Sequence, residues 1–134
     1  MNRQVAMVAS ALAALIVGGV FAPSAWSAPS VLAILDTDHD GTVDLAEAKA
    51  AGAAAFDRLE KDHDGTADQS ELHGRVNAKD MAAADPDKDG TLDKGEYLAL
   101  VEHRFKTADR DNDGTLDARE LRSPSGQALV RLLK

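Results

Sequence analysis

Residues 85–96 read DPDKDGTLDKGE, which places five carboxylates, Asp85, Asp87, Asp89, Asp93 and Glu96, inside one short stretch. Like charges at this spacing repel one another, so a chain that keeps them needs a cation between them. The arrangement recurs. DTDHDGTVDLAE (36–47), EKDHDGTADQSE (60–71) and DRDNDGTLDARE (109–120) align with it without gaps, and the four starts lie 24, 25 and 24 residues apart. Each segment contains D-x-D-G-T-x-D and ends in glutamate. Together they hold 20 of the 23 acids, leaving only Asp57, Asp80 and Glu102 outside. Acids placed at intervals argue for a repeated site and against a disordered acidic tail.

The pattern is that of an EF-hand loop. A hard cation takes about six to eight oxygens, supplied from loop positions 1, 3 and 5, the position 7 carbonyl, position 9 and a bidentate glutamate at position 12. Glycine at position 6 permits the sharp turn that gathers them. The candidate ligands are Asp36, Asp38, Asp40, Thr42, Asp44 and Glu47 in loop 1, and Glu60, Asp62, Asp64, Thr66, Asp68 and Glu71 in loop 2. Loop 3 offers Asp85, Asp87, Asp89, Thr91, Asp93 and Glu96, and loop 4 Asp109, Asp111, Asp113, Thr115, Asp117 and Glu120.

Only 12, 13 and 12 residues separate successive loops. Twelve residues make roughly 18 Å of helix, a single element. Ala46–Leu59 and Gly95–Ala108 are therefore each predicted to be one helix with a loop at either end. Loops at opposite ends of one helix cannot easily pair, so loop 1 is expected against loop 4 and loop 2 against loop 3. Val43, Leu92 and Leu116 at position 8 suit short β-bridges, with Ala67 the weak member. The expected fold is all-α, a compact helical bundle with four peripheral EF-hand loops and short inter-loop helices.

Leu32, Phe56, Met81 and Phe105 stand four residues before their loops, where an entering helix turns a side chain to the core. Helical stretches are expected after each loop: LAEAKAA, QSELHGRV, KGEYLALVEHRF and ARELRS. Asn77 is a candidate N-cap for Ala78–Ala84, and Ser123-Pro124 opens a last helix through GQALVRLLK. Its Leu129, Val130, Leu132 and Leu133 are expected to close the core.

The N-terminus reads as an export signal: Arg3, an apolar run from Val5 to Val20, then small residues in FAPSAWSA. Residues 1–27 are expected to be removed near Ser27/Ala28, leaving 28–134 as a single four-EF-hand domain in the periplasm. Without Arg3, 14 basic and 23 acidic residues remain, a net charge of −9. Such a surface repels nucleic acid and anionic lipid. Cysteine is absent, which excludes disulfides, thiolate zinc sites and cysteine nucleophiles.

The chain resembles the lanmodulin family, lanthanide-binding proteins of the methylotroph periplasm. The short inter-loop spacing, threonine at position 7 and aspartate at position 9 of every loop carry the resemblance, as do AGAAAFDRL, DPDKDGTLDKGEYLA and RELRSPSGQALV. It implies selective capture of up to four lanthanide(III) ions over calcium, with a periplasmic dehydrogenase or an uptake receptor as possible partners. That family's proline at position 2 occurs here only as Pro86; the other loops have Thr37, Lys61 and Arg110. Lys61 and Arg110 set a positive charge beside their sites. Loop 2 also starts with Glu60 in place of aspartate and is expected to be the weakest site.

Charge favours a trivalent ion independently. Each loop carries five carboxylates, and one extra unit of ionic charge gains roughly 4 kcal/mol per carboxylate at about 4 Å and an effective dielectric near 20. Dehydration of the ion opposes this gain. Calcium is the weaker alternative cargo, and the rival function is a periplasmic calcium buffer or sensor. Sensors present Met-rich grooves, yet Met81 is the only methionine beyond the export signal. Enzymatic activity is not expected. His39 and His63 occupy position 4, which points away from the ion, and His73 and His103 are placed on helices without a catalytic companion. A site filled by protein oxygens lacks the open position that metal catalysis needs. Metal-free, four acidic clusters oppose a small core, so folding is expected to follow metal binding.

Overall fold

The computed structural model describes residues 30–134; the export-signal reading falls on residues 1–27, outside them. In order, the elements are α1 (Val31–Leu35), β1 (Val43–Asp44), α2 (Leu45–Leu59), β2 (Thr66–Asp68), α3 (Ala78–Ala84), β3 (Thr91–Asp93), α4 (Lys94–Ala108), β4 (Thr115–Leu116), α5 (Ala118–Arg122) and α6 (Pro124–Leu133). Helices form the body and the strands are two-residue or three-residue bridges, so the protein is an all-α bundle. No helix among the described residues is long and apolar enough to cross a membrane.

Loop pairing follows the spacing argument. β1 joins β4 antiparallel, with Val43 opposite Leu116, and β2 joins β3, with Ala67 opposite Leu92. All four position-8 side chains are fully buried, Ala67 included. The two long helices run between the pairs: α2 leaves loop 1 and enters loop 2, and α4 leaves loop 3 and enters loop 4. Both match the predicted single helices to within a residue.

α2 and α4 pack together, with α6 against both, and they run antiparallel, since Lys49 meets Glu102 while Asp57 meets Lys94. Their close crossing needs Gly52, where a Cβ would come within 2.9 Å of Val101 Cγ2. Ion pairs join both ends of the crossing, Lys49 Nζ to Glu102 Oε2 at 2.6 Å and Lys94 Nζ to Asp57 Oδ1 at 2.7 Å. Phe56 and Tyr97 meet between the helices with ring centroids 5.5 Å apart and planes tilted by 58°, a favourable aromatic geometry. Tyr97 is fully buried and its hydroxyl donates to the Leu132 carbonyl at 2.7 Å. Leu129, Val130, Leu132 and Leu133 of α6 close this core as expected.

Ser123 caps α6 by accepting from Gly126 N, with Pro124 at the first helical position, where a missing N–H costs nothing. Asn77 caps α3 as predicted, accepting from Asp80 N at 2.8 Å. Two expectations need correction. QSELHGRV is not a helix: after one turn closed by Leu72 N to the Asp68 carbonyl, His73 and Gly74 both adopt positive φ, 45° and 71°. His73 therefore sits in a turn. Only 13 residues part loops 2 and 3. Leu72 and Val76 are buried on either side of the reversal and a fresh helix starts at Asn77. Second, Phe56 and Phe105 are buried at 2% exposure, but Leu32 and Met81 are only partly buried against the same cluster. Their helices, α1 and α3, are short and lie at its edge.

Candidate metal centres

Each loop is built from the hydrogen bonds of its own carboxylates. In loops 1, 3 and 4 the position-1 aspartate, Asp36, Asp85 or Asp109, caps the entering helix. Its N–H donates to the carbonyl of Leu32, Met81 or Phe105. The carboxylate then crosses the loop, one oxygen accepting from the position-5 N–H and the other from the position-6 glycine N–H, at 2.9–3.0 Å for the glycine. These three aspartates are buried, at 5–8% exposure. Position 4 carries the backbone reversal with φ near 60° (His39 63°, His63 58°, Lys88 59°, Asn112 57°), followed by glycine at positive φ. His39 and His63 lie exposed on the outside of that turn.

The carboxyl oxygens converge. Three groups lie within 4.8 Å of one another in every loop: Asp36, Asp38 and Asp40; Glu60, Asp62 and Asp64; Asp85, Asp87 and Glu96; Asp109, Asp111 and Glu120. In every loop the position-5 aspartate also accepts from the N–H and hydroxyl of the position-7 threonine: Asp40 from Thr42, Asp64 from Thr66, Asp89 from Thr91 and Asp113 from Thr115. Threonine at position 7 thus steers position 5 with its hydroxyl.

Position 9 has a role the sequence reading missed. Asp44, Asp93 and Asp117 are N-caps of α2, α4 and α5, each accepting from the N–H of Glu47, Glu96 or Glu120, while that glutamate accepts from the aspartate's own N–H. This reciprocal capping box fixes both side chains at the start of the exiting helix. Its signature, aspartate followed three residues later by glutamate, is present in the sequence. None of the four position-9 aspartates joins the three-carboxylate groups; in Asp44, Asp93 and Asp117 the cap engages Oδ1. In loop 2 Asp68 accepts from Ser70 N, Ser70 Oγ and Glu71 N without opening a regular helix.

Loop 2 departs elsewhere too. Glu60 accepts from Gly65 N at 2.5 Å but not from Asp64 N, which reaches only Asp62. Glu60 is half-buried where its counterparts are buried. The longer side chain gives up one of the two bonds that order the other loops.

Electrostatics show the crowding. Burial pushes Asp36 and Asp85 upward, but backbone donors led by Gly41 and Gly90 outweigh it and hold both below the ordinary aspartate range. At position 3 the balance reverses. The Asp40 and Asp113 N–H groups pull Asp38 and Asp111 down, yet desolvation and neighbouring carboxylates leave both raised. Asp87 is raised first through its hydrogen bond with the Asp85 carboxyl. Carboxyl groups held together at a cost in ionisation are suited to receive a cation. An all-oxygen, carboxylate-rich set selects hard ions over thiophilic or imidazole-seeking metals.

The EF-hand family profile matches residues 30–49 and 100–123, the stretches containing loops 1 and 4. The chain is also 56% identical over 69 residues to lanmodulin from Methylorubrum extorquens, a match spanning 52% of each chain. The aligned part is thus about half of that relative's length. The chain thus carries EF-hand motifs and is homologous to lanmodulin over that half, with four carboxylate clusters of a kind that could hold metal ions.

Proposed function

We propose that the protein captures trivalent lanthanide ions in preference to calcium, at up to four sites formed by the loop residues at positions 1, 3, 5, 7, 9 and 12. The observation that carries this reading is the convergence of three carboxylates in every loop, backed by a charge of five acids per loop. Thr42, Thr66, Thr91 and Thr115 contribute their carbonyls. The homology with lanmodulin over half the chain supports the same cargo. On this reading residues 1–27 direct export, 28–134 form the single metal-binding domain, and the protein works without catalysis in the periplasm of a methylotroph, handling rare earths for uptake or use. Calcium is the weaker ligand.

The test is a titration with La³⁺ at fixed millimolar Ca²⁺, followed by helical circular dichroism. La³⁺ is expected to saturate the signal near four equivalents despite the calcium excess. Displacement only when La³⁺ matches Ca²⁺ in concentration would establish a calcium buffer and end the trivalent reading.

A further inference from the structure

In three loops the position-2 backbone N–H donates to the glutamate at position 12. Lys61 N reaches Glu71 Oε1 at 3.0 Å and Arg110 N reaches Glu120 Oε1 at 2.8 Å. In loop 1 the contact is threefold: Thr37 N at 2.6 Å, Thr37 Oγ1 at 2.8 Å and Asp38 N at 3.4 Å all donate to Glu47 Oε1. Loop 3 has Pro86 at this position, and proline has no N–H. Among the described residues no donor reaches Glu96 Oε1; its other oxygen keeps the capping-box bond from Asp93 N at 2.9 Å. Glu96 and Pro86 both line an open crevice of about 420 Å³ between α3 and α4, so the carboxylate has room to turn.

We propose that the position-2 residue acts as a latch on the ion-gripping glutamate, closed in loops 1, 2 and 4 and removed by proline in loop 3. The inference rests on the reading of these loops as metal sites, but not on which metal they take. A bidentate grip needs both carboxylate oxygens on the ion. The Oε2 bond to the position-9 N–H is common to all four loops at 2.9–3.2 Å, so it does not discriminate. The Oε1 bond does. A closed loop must free Oε1 from a charge-assisted bond before both oxygens can grip the ion, even in loop 4, where Glu120 already lies among the converging carboxylates, and the released N–H is then rehydrated at the exposed rim. One such bond corresponds to about tenfold in affinity. Site 3 should therefore fill first and site 4 after it. Site 1, with three donors, should lag both, and site 2 carries the separate handicap of Glu60.

Proline fits the other loops. The residues before position 2, Asp36, Glu60 and Asp109, have φ near −71° and ψ of 92–93°. These residues, like Asp85 before Pro86 at −107° and 83°, lie outside the helical region that a following proline disfavours.

The experiment uses protein labelled on glycine, in which the position-6 amides of Gly41, Gly65, Gly90 and Gly114 serve as one reporter per loop, Gly95 giving a second signal in loop 3. Substoichiometric La³⁺ is added to the wild type, Pro86→Ala and Arg110→Pro, and the order in which the signals shift is read. Gly90 is expected to lead in the wild type. Pro86→Ala should delay Gly90 about tenfold relative to the other loops, and Arg110→Pro should advance Gly114 by a similar factor. Equal helical signals in the La³⁺-saturated variants show that the loops still assemble. An unchanged order in both variants overturns the latch. Repeating the series with Ca²⁺ keeps the two proposals apart: the latch predicts the same reordering with either ion, whatever happens to selectivity.

Discussion

Arg104 is the one buried cation among the described residues, and replacing it by methionine tests what holds loop 3 in place. Its Nη2 pairs with Asp80 Oδ2 at 2.6 Å, and Nη1 donates to the carbonyls of Ala128 at 2.7 Å and Arg75 at 3.3 Å. One guanidinium thus joins α4, α3, α6 and the turn before α3. The partner helix depends on it. α3 has no fully buried side chain, yet it ends at Asp85, the first carboxylate of loop 3. Methionine fills a similar volume but leaves two carbonyls without their donor and Asp80 with Asn77 Nδ2 alone, at 3.0 Å. Bonds to a charged group contribute about 1.5–3 kcal/mol each. The Asp80 side chain is 34% exposed and regains water, and the Arg75 bond is long, so the loss should be about 2–3 kcal/mol. For a domain of this size that is about 10–20 °C in Tm. The assay is thermal circular dichroism on metal-saturated protein, with Asp80→Asn and the double variant completing a cycle. A coupling of about 1–2 kcal/mol is expected. Additivity within about 0.5 kcal/mol, or a melting shift below about 3 °C, would refute the role given to the pair.

Tyr97 is the chain's only tyrosine, so ultraviolet absorbance reports its ionisation alone. Burial pushes the phenol up to about 12; because this folded value lies above the ordinary one, its contribution to stability is complete below pH 10 and is lost as pH rises toward 12. A midpoint near 10 in the metal-loaded protein would show that the ring is open to water. Gly126→Ala should cost at least about 1–3 kcal/mol, because a Cβ there would strike the Glu120 carbonyl and lie 2.6 Å from Leu121 Cα, both rigid backbone. The signature is a lowered melting temperature together with weakened La³⁺ binding at loop 4, whose exit helix α5 packs on α6; retention of both would contradict the packing. Removing metal with a chelator should lower helicity reversibly, since four clusters of like charge then face a small core. Circular dichroism that stays constant through chelation and readdition would exclude coupled folding.

Much of this architecture is legible because it follows from counting. The register of the four loops and the short distances between them dictate two helices that each serve two loops, and from that the pairing of loop 1 with 4 and 2 with 3. The candidate residues were equally visible, since a twelve-residue pattern names its own positions. What was not legible depends on choices between local and distant partners. QSELHGRV has helix-compatible spacing at Leu72 and Val76, but Gly74 and the capping side chain of Asn77 favour a reversal and a restart. The position-9 aspartates look like ligands by pattern, and the capping box adds a second task by giving one oxygen of each to backbone donors. Arg104 carries no motif. Its importance arises only when three separate segments bring their acceptors to it.

The chain has two ends, but its contacts have none. Loop 1 passes through α2 to loop 2, across a bridge to loop 3, through α4 to loop 4, and across the second bridge back to loop 1. That circuit is a closed hoop with two covalent arms and two hydrogen-bonded clasps. Cleaving the backbone at the His73–Gly74 turn would sever only a connection outside this circuit, so the two pieces should stay clasped at both bridges while ions are bound and part when they are withdrawn. A protein of this shape can be divided into a pair of fragments whose reunion is governed by the metal.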